Sequence, residues 1–476
     1  MTSPHVLLQR IFWLLLLFLT ACSAVGPDYQ APSPPMPAGW TATTGQTRVT
    51  AAEELNAWWQ LFHDATLNDL VNQAITANQD IRIAETRIRE ARAARRLSGA
   101  AQQPALNLAA AQTRSRSYEN TSSGPTDYEF FQLGFDASWE LDFFGGVRRS
   151  VEMAEAQVEG SVEAKRDVQV AITAEVARNY LELRGSQQRL AIARKNIAIQ
   201  EKTVHIVEQQ RDLGMSGELE LEQAKSQLNM TRSLIPGLET AVIQAMNQLA
   251  LLTARQVATM HQHLATAEVV PVTPPELPQT LPSDLLRRRP DIRQCERQLA
   301  AATAGIGVAT ADLFPRFSLS GLIGLDNANL SDLVTSGSRF WSFGPTIKWA
   351  LLDGGKTRAT IEISEAQRDR AKITYEKTVL AALVDVENAL TAFAQEEQTN
   401  RHVRAAATAG ERAATIARDQ YQLGITNFLS VLQSEYALQQ AQDQLAQSQQ
   451  RIATNMVVLF KALGGGWETA VGTPGR

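Results

Sequence analysis

The sequence predicts a mainly α-helical protein with a membrane β-barrel part, built twice in tandem. Three observations predict it. Residues 146–213 and 355–423 are proline-free runs of about 68 and 69 residues, with good helix formers nearly throughout. Each would form a helix roughly 100 Å long at about 1.5 Å per residue, far beyond an ordinary globular helix. Each run is preceded by two segments of alternating apolar and polar residues. The second half then restates the first. Asp80-Ile81-Arg82 returns as Asp291-Ile292-Arg293 and Pro104 as Pro315, at an offset of 211. Glu175-Val176 returns as Asp385-Val386, Leu213-Gly214 as Leu423-Gly424 and Met246 as Met456, at 210. A tandem duplication of this kind dictates the architecture.

The N-terminus reads as an address. His5 and Arg10 make a weakly positive start, and Ile11 to Leu19 is an apolar run too short to span a bilayer as a helix. It ends in Leu19-Thr20-Ala21-Cys22, so 1–21 is read as a signal peptide and Cys22 as the lipid attachment site of a lipoprotein. Cys295 is the only other cysteine, so no disulfide is available to the mature chain. The net charge of −5 and the lack of a Lys/Arg cluster large enough to act as a basic patch argue against nucleic acid.

After Cys22 a proline-rich stretch leads to Trp58-Trp59, Leu61 and Phe62, an apolar dock. The first repeat spans 67–253. A helical pattern runs from Leu67 to about Gln103, with Leu70, Ala74, Ile81, Ala84, Ile88 and Ala91 on one face, and Pro104 ends it. A hairpin follows over 105–141. From Phe131 to Leu141 the odd positions Phe131, Leu133, Phe135, Ala137, Trp139 and Leu141 oppose Gln132, Gly134, Asp136, Ser138 and Glu140. The long helix 146–213 ends at Gly214. A further helix over 218–252 carries a heptad seam that Pro236-Gly237 should kink. Residues 254–282 form a proline-rich connector. The second repeat, 283–463, repeats the plan with a hairpin over 316–351, a long helix 355–423 and a helix 427–462. A tail, 464–476, closes the chain.

Strands of about 10 residues with one face of Phe, Trp, Leu and Ile fit membrane strands. The opposite face, of Ser, Gly, Thr, Gln, Asp and Lys, would line a lumen. Four strands cannot close a barrel, and an open edge in lipid leaves backbone groups unsatisfied. The chain must therefore oligomerise. Two copies give eight strands and three give twelve, and a wide lumen favours the larger number.

The lipobox with Val25-Gly26-Pro27-Asp28-Tyr29, then Trp58-Trp59, Arg288-Arg289-Pro290-Asp291-Ile292, Leu352-Asp353-Gly354-Gly355 and Lys461-Ala462-Leu463-Gly464-Gly465-Gly466-Trp467, resemble the lipoprotein branch of the TolC-like outer membrane factors. The resemblance implies an outer membrane homotrimer with a twelve-stranded barrel and a periplasmic helical tunnel. Residues 22–66, 254–282 and the tail would form a belt around its middle. It implies a passive exit duct for small molecules in a tripartite efflux pump. Its partners would be a periplasmic adaptor, an inner-membrane transporter of the proton-driven RND class and outer membrane lipid. No cofactor is implied beyond the lipid on Cys22. The tip turns at Gly214 and Gly424 would carry a gate of Glu220, Tyr421, Leu429 and Gln433. Tyr421 and Glu220 would form a phenol-to-carboxylate link, Leu429 a plug, and Gln433 would stand where an acidic ring is expected.

The alternatives are a periplasmic adaptor or coiled-coil scaffold lipoprotein, and a duct serving secretion rather than drug efflux. An enzyme is disfavoured. His261-Gln262-His263 is the only close histidine pair, no Walker-type phosphate loop is present, and no nucleophile has an identifiable base and orienter.

Overall fold

The computed structural model describes residues 24–41, 47–48, 55–117, 126–271, 277–278 and 281–468. Residues 1–23, where the signal peptide and the lipid-bearing Cys22 are expected, residues 118–125 and residues 469–476 lie outside them. The elements run α1 (Ala65–Ala77), α2 (Gln79–Ala100), β1 (Ala105–Ser117), β2 (Thr126–Leu141), α3 (Gly146–Asp212), α4 (Glu218–Arg232), α5 (Ile235–Leu252) and α6 (Val257–Leu264). After a single turn, Leu285–Arg288, come α7 (Pro290–Ala311), β3 (Arg316–Asn327), β4 (Arg339–Lys348), α8 (Lys356–Gln422) and α9 (Phe428–Ala462). Both long helices are continuous over 67 residues.

Two of the expected helices are interrupted. The 67–103 pattern breaks at Asn78. Its side-chain Oδ1 accepts from Asp80 N–H at 2.8 Å and restarts the helix, while Nδ2 donates to the Leu252 carbonyl at 2.9 Å. The periodic apolar face hid this break, because Asn78 satisfies the freed backbone locally. The 218–252 helix stops at Arg232 and restarts at Ile235. Pro236 lacks an N–H and sits in the first turn of α5, where none is needed, so the break falls just before the Pro236-Gly237 step.

The chain forms two compact units. One comprises Met1–Pro34, Arg87–Val162 and Gln294–Glu376, and the other Pro35–Thr86, Glu163–Arg293 and Lys377–Arg476. Neither unit is a repeat, since each takes matching pieces from both.

The first unit holds an antiparallel sheet ordered β1-β2-β3-β4. Trp139 Nε1 donates to the Gln102 carbonyl at 3.1 Å and Trp349 Nε1 to the Leu313 carbonyl at 3.0 Å, so each hairpin is tied to the end of the helix before it. At the entry to α3, Asp142 accepts the Val147 and Arg148 N–H groups, and Asp353 does the same for Gly355 and Thr357 near α8. These carboxylates satisfy the orphan donors of two very long helices. The chain just past residue 23 is pinned here. Val25 N–H donates to the Phe144 carbonyl at 3.0 Å, and the buried Arg149 donates to the Val25 carbonyl and to Asp28.

In the second unit Trp58 stacks on Phe460 at 5.2 Å, and Gly465 and Gly466 pack against its ring. Trp467 donates to the Arg288 carbonyl and lies under Arg166. The connector is held to α3 by Arg184, which pairs with Glu268 at 2.6 Å, and by Gln187, which donates to the Leu264 carbonyl. A short parallel pairing joins Thr47–Arg48 to Leu277–Pro278. The contact of α3 with α9 is more polar than a heptad seam. Arg189–Asp443, Gln188–Gln449, Asn196–Gln442 and Gln200–Gln439 form a ladder along it.

Candidate functional site

Two places in the chain invite function: the sheet face and the turns that follow the long helices. The sheet presents Leu106, Leu108, Leu133, Phe135 and Trp139 on one face, joined there by Ile323, Trp341, Phe343 and Ile347, all of them exposed. Trp341 is 78% exposed, a value no water-facing sheet would sustain across so many neighbours. The opposite face carries Asn107 hydrogen-bonded to Asp136, with Ser138, Glu140, Ser318 and Ser320. The strands β1 and β4 form the two edges of the sheet.

The strands differ from expectation in length. β2 has 16 residues and begins at Thr126 rather than Phe131, while β4 has 10 and ends at Lys348 rather than Leu351. The extension of β2 brings a change of pattern. Tyr128 and Phe130 lie on the polar face, and Asp127 and Glu129 on the apolar one.

The turns after the long helices are nearly superimposable in chemistry. Gly214 and Gly424 both have φ of 71°, the left-handed region that ends a helix without steric cost. Met215 N–H donates to the Gln210 carbonyl and Ile425 N–H to the Gln420 carbonyl, each at 2.8 Å. Beneath the turns Val207, Leu221, Ala224, Ala417, Phe428 and Val431 form a buried cluster, with Tyr421 against it. Leu213, Met215, Leu219, Leu423 and Ile425 are left exposed around the turns.

Tyr421 and Glu220 are both at this tip, but they are not linked to each other. The Tyr421 hydroxyl donates to Gln210 Oε1 at 2.5 Å, and its ring packs on Phe428. Glu220 instead accepts the Gly217 N–H at 3.0 Å and caps its own helix. A carboxylate three residues into a helix reaches back to its start more readily than it crosses to another. Burial, more than the charge of Glu220, pushes the Tyr421 phenol above its ordinary value, so it remains a donor at neutral pH. Gln210 is the residue that sequence reading missed. A signal existed: it lies 211 residues before Tyr421, one step from the repeat offset, so near-equivalent positions meet at the tip.

Leu429 and Gln433 lie one helical turn apart on α9 and are both exposed. They share a stripe opposite the buried Phe428, Val431 and Glu435. Glu435 is a buried carboxylate with Oε1 3.8 Å from Arg418 Nε and no hydrogen-bond partner among the described residues. Burial raises its pKa, and Arg418 offsets only part of that.

Comparison with known proteins matches this architecture throughout its length. The profile of the family described as outer membrane efflux protein matches residues 70–255 and 281–465. The outer membrane protein OprJ of Pseudomonas aeruginosa is 33% identical over 467 residues, covering 96% of this chain and 95% of OprJ. The solvent efflux pump outer membrane protein SrpC of Pseudomonas putida is 32% identical over 474 residues, covering 96% and 97%. Among solved structures, the outer-membrane channel OprN superimposes with a TM-score of 0.87 at 36% identity, over 93% of this chain and 99% of that one. CusC does so with a TM-score of 0.80 at 28% identity, over 93% and 100%.

Proposed function

The chain belongs to the outer membrane efflux protein family, and on that premise we propose that it is a passive exit duct held shut at its helix turns by the Tyr421–Gln210 hydrogen bond. The observation that carries the reading is the four-stranded sheet with an exposed apolar band along one face and an edge strand at each side. Lipid covers the face, and further copies complete the edges. Three copies close twelve strands around a polar lumen, and two would leave little room in it.

The energy is supplied elsewhere. A periplasmic adaptor seats on the turns at Gly214 and Gly424, and an inner-membrane transporter of the proton-driven RND class drives cargo through it. SrpC carries a solvent efflux pump in its name, which supports such an assembly. Cys22 carries the lipid. The hydrogen bond from Val25 to Phe144 supports this, because it fixes the chain three residues later at the strand-to-helix junction. The mass of the N-terminal peptide of the mature protein checks it: an unmodified Cys22, or a chain not cleaved before it, overturns the assignment.

Leu429 and Gln433 line the constriction. Their shared exposed stripe supports this, and a glutamine ring leaves the passage without fixed negative charge. Conductance in planar bilayers tests the gate. One hydrogen bond at about 1 kcal/mol implies that Tyr421→Phe and Gln210→Ala each raise the open-to-closed ratio roughly fivefold. In the same recordings Gln433→Asp is expected to turn the current cation-selective. Unchanged opening in both tip variants means that packing alone closes the tip, and an unchanged reversal potential removes Gln433 from the lumen.

A further inference from the structure

The outer part of the first hairpin is built inside out. The β1–β2 register runs without a bulge from Ser117↔Thr126 to Ala105↔Ser138. Strict alternation therefore places Tyr128 and Phe130 on the same face as Gln132, Gly134 and Asp136, the polar face. Charges take the lipid-side face at the same level: Arg114 opposite Glu129, and Arg116 opposite Asp127 with an ion pair at 3.6 Å. A hairpin that simply left the membrane would become polar on both sides. This one moves its charges outward and its aromatic rings inward.

A further ring stands on the same face of β4, four residues deeper than Phe130. Phe340 pairs with Gly324, which pairs with Gly134, so all three lie on the polar face. A Cβ on Gly324 would come within 2.9 Å of the Phe340 ring, so this glycine leaves the slot that the ring covers. Tyr128 and Phe130 remain 50% and 40% exposed, and neither packs on another ring among the described residues. Exposed aromatic faces on an otherwise Ser-, Gly- and Asp-rich wall have no ring partner among the described residues. The solute that passes such a wall supplies one.

Resting on the channel reading above, we propose that Tyr128 and Phe130 form an aromatic contact site on the lumen wall near the outer mouth, taking uncharged planar aromatic cargo as it leaves, with Phe340 a further ring deeper on the same wall. Ring faces stack on such solutes and discriminate against saturated ones of equal hydrophobicity. The position of Tyr128 and Phe130 past the apolar band lets cargo be held by protein, instead of partitioning into the adjoining lipid.

Single-channel recording with the purified full chain tests this, with 1-naphthol as probe and decahydro-1-naphthol as the saturated comparison. In the unsubstituted protein 1-naphthol is expected to interrupt the current, and decahydro-1-naphthol to do so far less. The double variant Tyr128→Ser/Phe130→Ser should shorten the interruptions roughly tenfold, the scale of a lost aromatic pair. Phe130→Trp, which keeps an aromatic strand residue, should lengthen them and guards against a folding failure of the serine variant. Interruptions of equal length in all three proteins overturn the site. A rise in the open current of the serine variant, with interruptions unchanged, would mean that rings of neighbouring copies pack on one another, and also overturns it. Absence of any current in the unsubstituted protein would instead defeat the channel reading on which the site rests.

Discussion

The two repeats make the same joints with different residues. In the first, Asn78 breaks the helix and donates to the Leu252 carbonyl at 2.9 Å. In the second, Arg289 stands at the corresponding break and donates to the Ala462 carbonyl at 3.0 Å. Leu252 and Ala462 each end the last helix of their repeat. What has been kept is a donor aimed at an orphan carbonyl, and the side chain delivering it has changed. Arg289 adds ion pairs to Asp291 at 2.7 Å and Asp385 at 3.2 Å, which an amide cannot do. Elsewhere the copies diverge in shape. The last helix of the first repeat is split before Pro236, while α9 runs unbroken through Ala446, the position 210 residues later. A bend here is local chemistry added to a scaffold that runs straight through the same position in the second repeat.

The largest effect should come from forcing the second repeat to imitate the first. Ala446→Pro places a proline in the middle of α9 at a site only 1% exposed. Loss of a helix hydrogen bond and the ring clash should cost about 3 kcal/mol or more, seen as a lower thermal midpoint of the purified protein. A midpoint within a degree of the parent would show that α9 already tolerates a kink.

The joints should differ next. Arg289→Ala leaves two carboxylates without their cation and an unpaired carbonyl. Their partial exposure puts the expected loss near 3 kcal/mol, at the low end for a broken buried pair. Asn78→Ala removes one buried hydrogen bond and a helix cap, about 2 kcal/mol. Denaturant midpoints would rank the two, and the reverse order would mean that the second joint relies on packing and not on its charges.

The smallest effect concerns Glu435, whose counterpart Lys225 lies on the surface and pairs with Glu222. Burial holds the Glu435 carboxyl above its ordinary 4.5, so folding disfavours the ionised form. The sign follows: the penalty is absent where the group is protonated in both folded and unfolded chains, and appears as pH rises through the interval up to the folded pKa. Glu435→Gln should therefore stabilise the tip by about 1 kcal/mol at pH 7 and by nothing near pH 4. Hydrogen exchange of α9 amides at both pH values measures it, and equal protection at pH 7 would show that Arg418 fully compensates the carboxylate.

Much of the fold was legible because its signals are local. The ends of α3 and α8 fall within a residue or two of the proline-free runs, since glycine and aspartate punctuate them. The apolar face of Phe135, Trp139, Trp341 and Ile347 was legible from alternation alone. The break at Asn78 was not, because its partner is a carbonyl 174 residues away. The tip shows the same limit. Tyr421 could be placed from its distance to Gly424, but the choice of Gln210 over Glu220 depends on which helices pack side by side.

The local periods were already present in the amino-acid order: two repeats, two long helices, four strands and the alternation of their faces. Each follows from residues a few positions apart along one chain direction. Tertiary structure alone decided the pairings. It drew corresponding pieces of the repeats together into two units that no sequence boundary marks, and it gave Tyr421 its amide. Those outcomes depend on packing between segments some 200 residues apart, where competing partners differ by about one hydrogen bond.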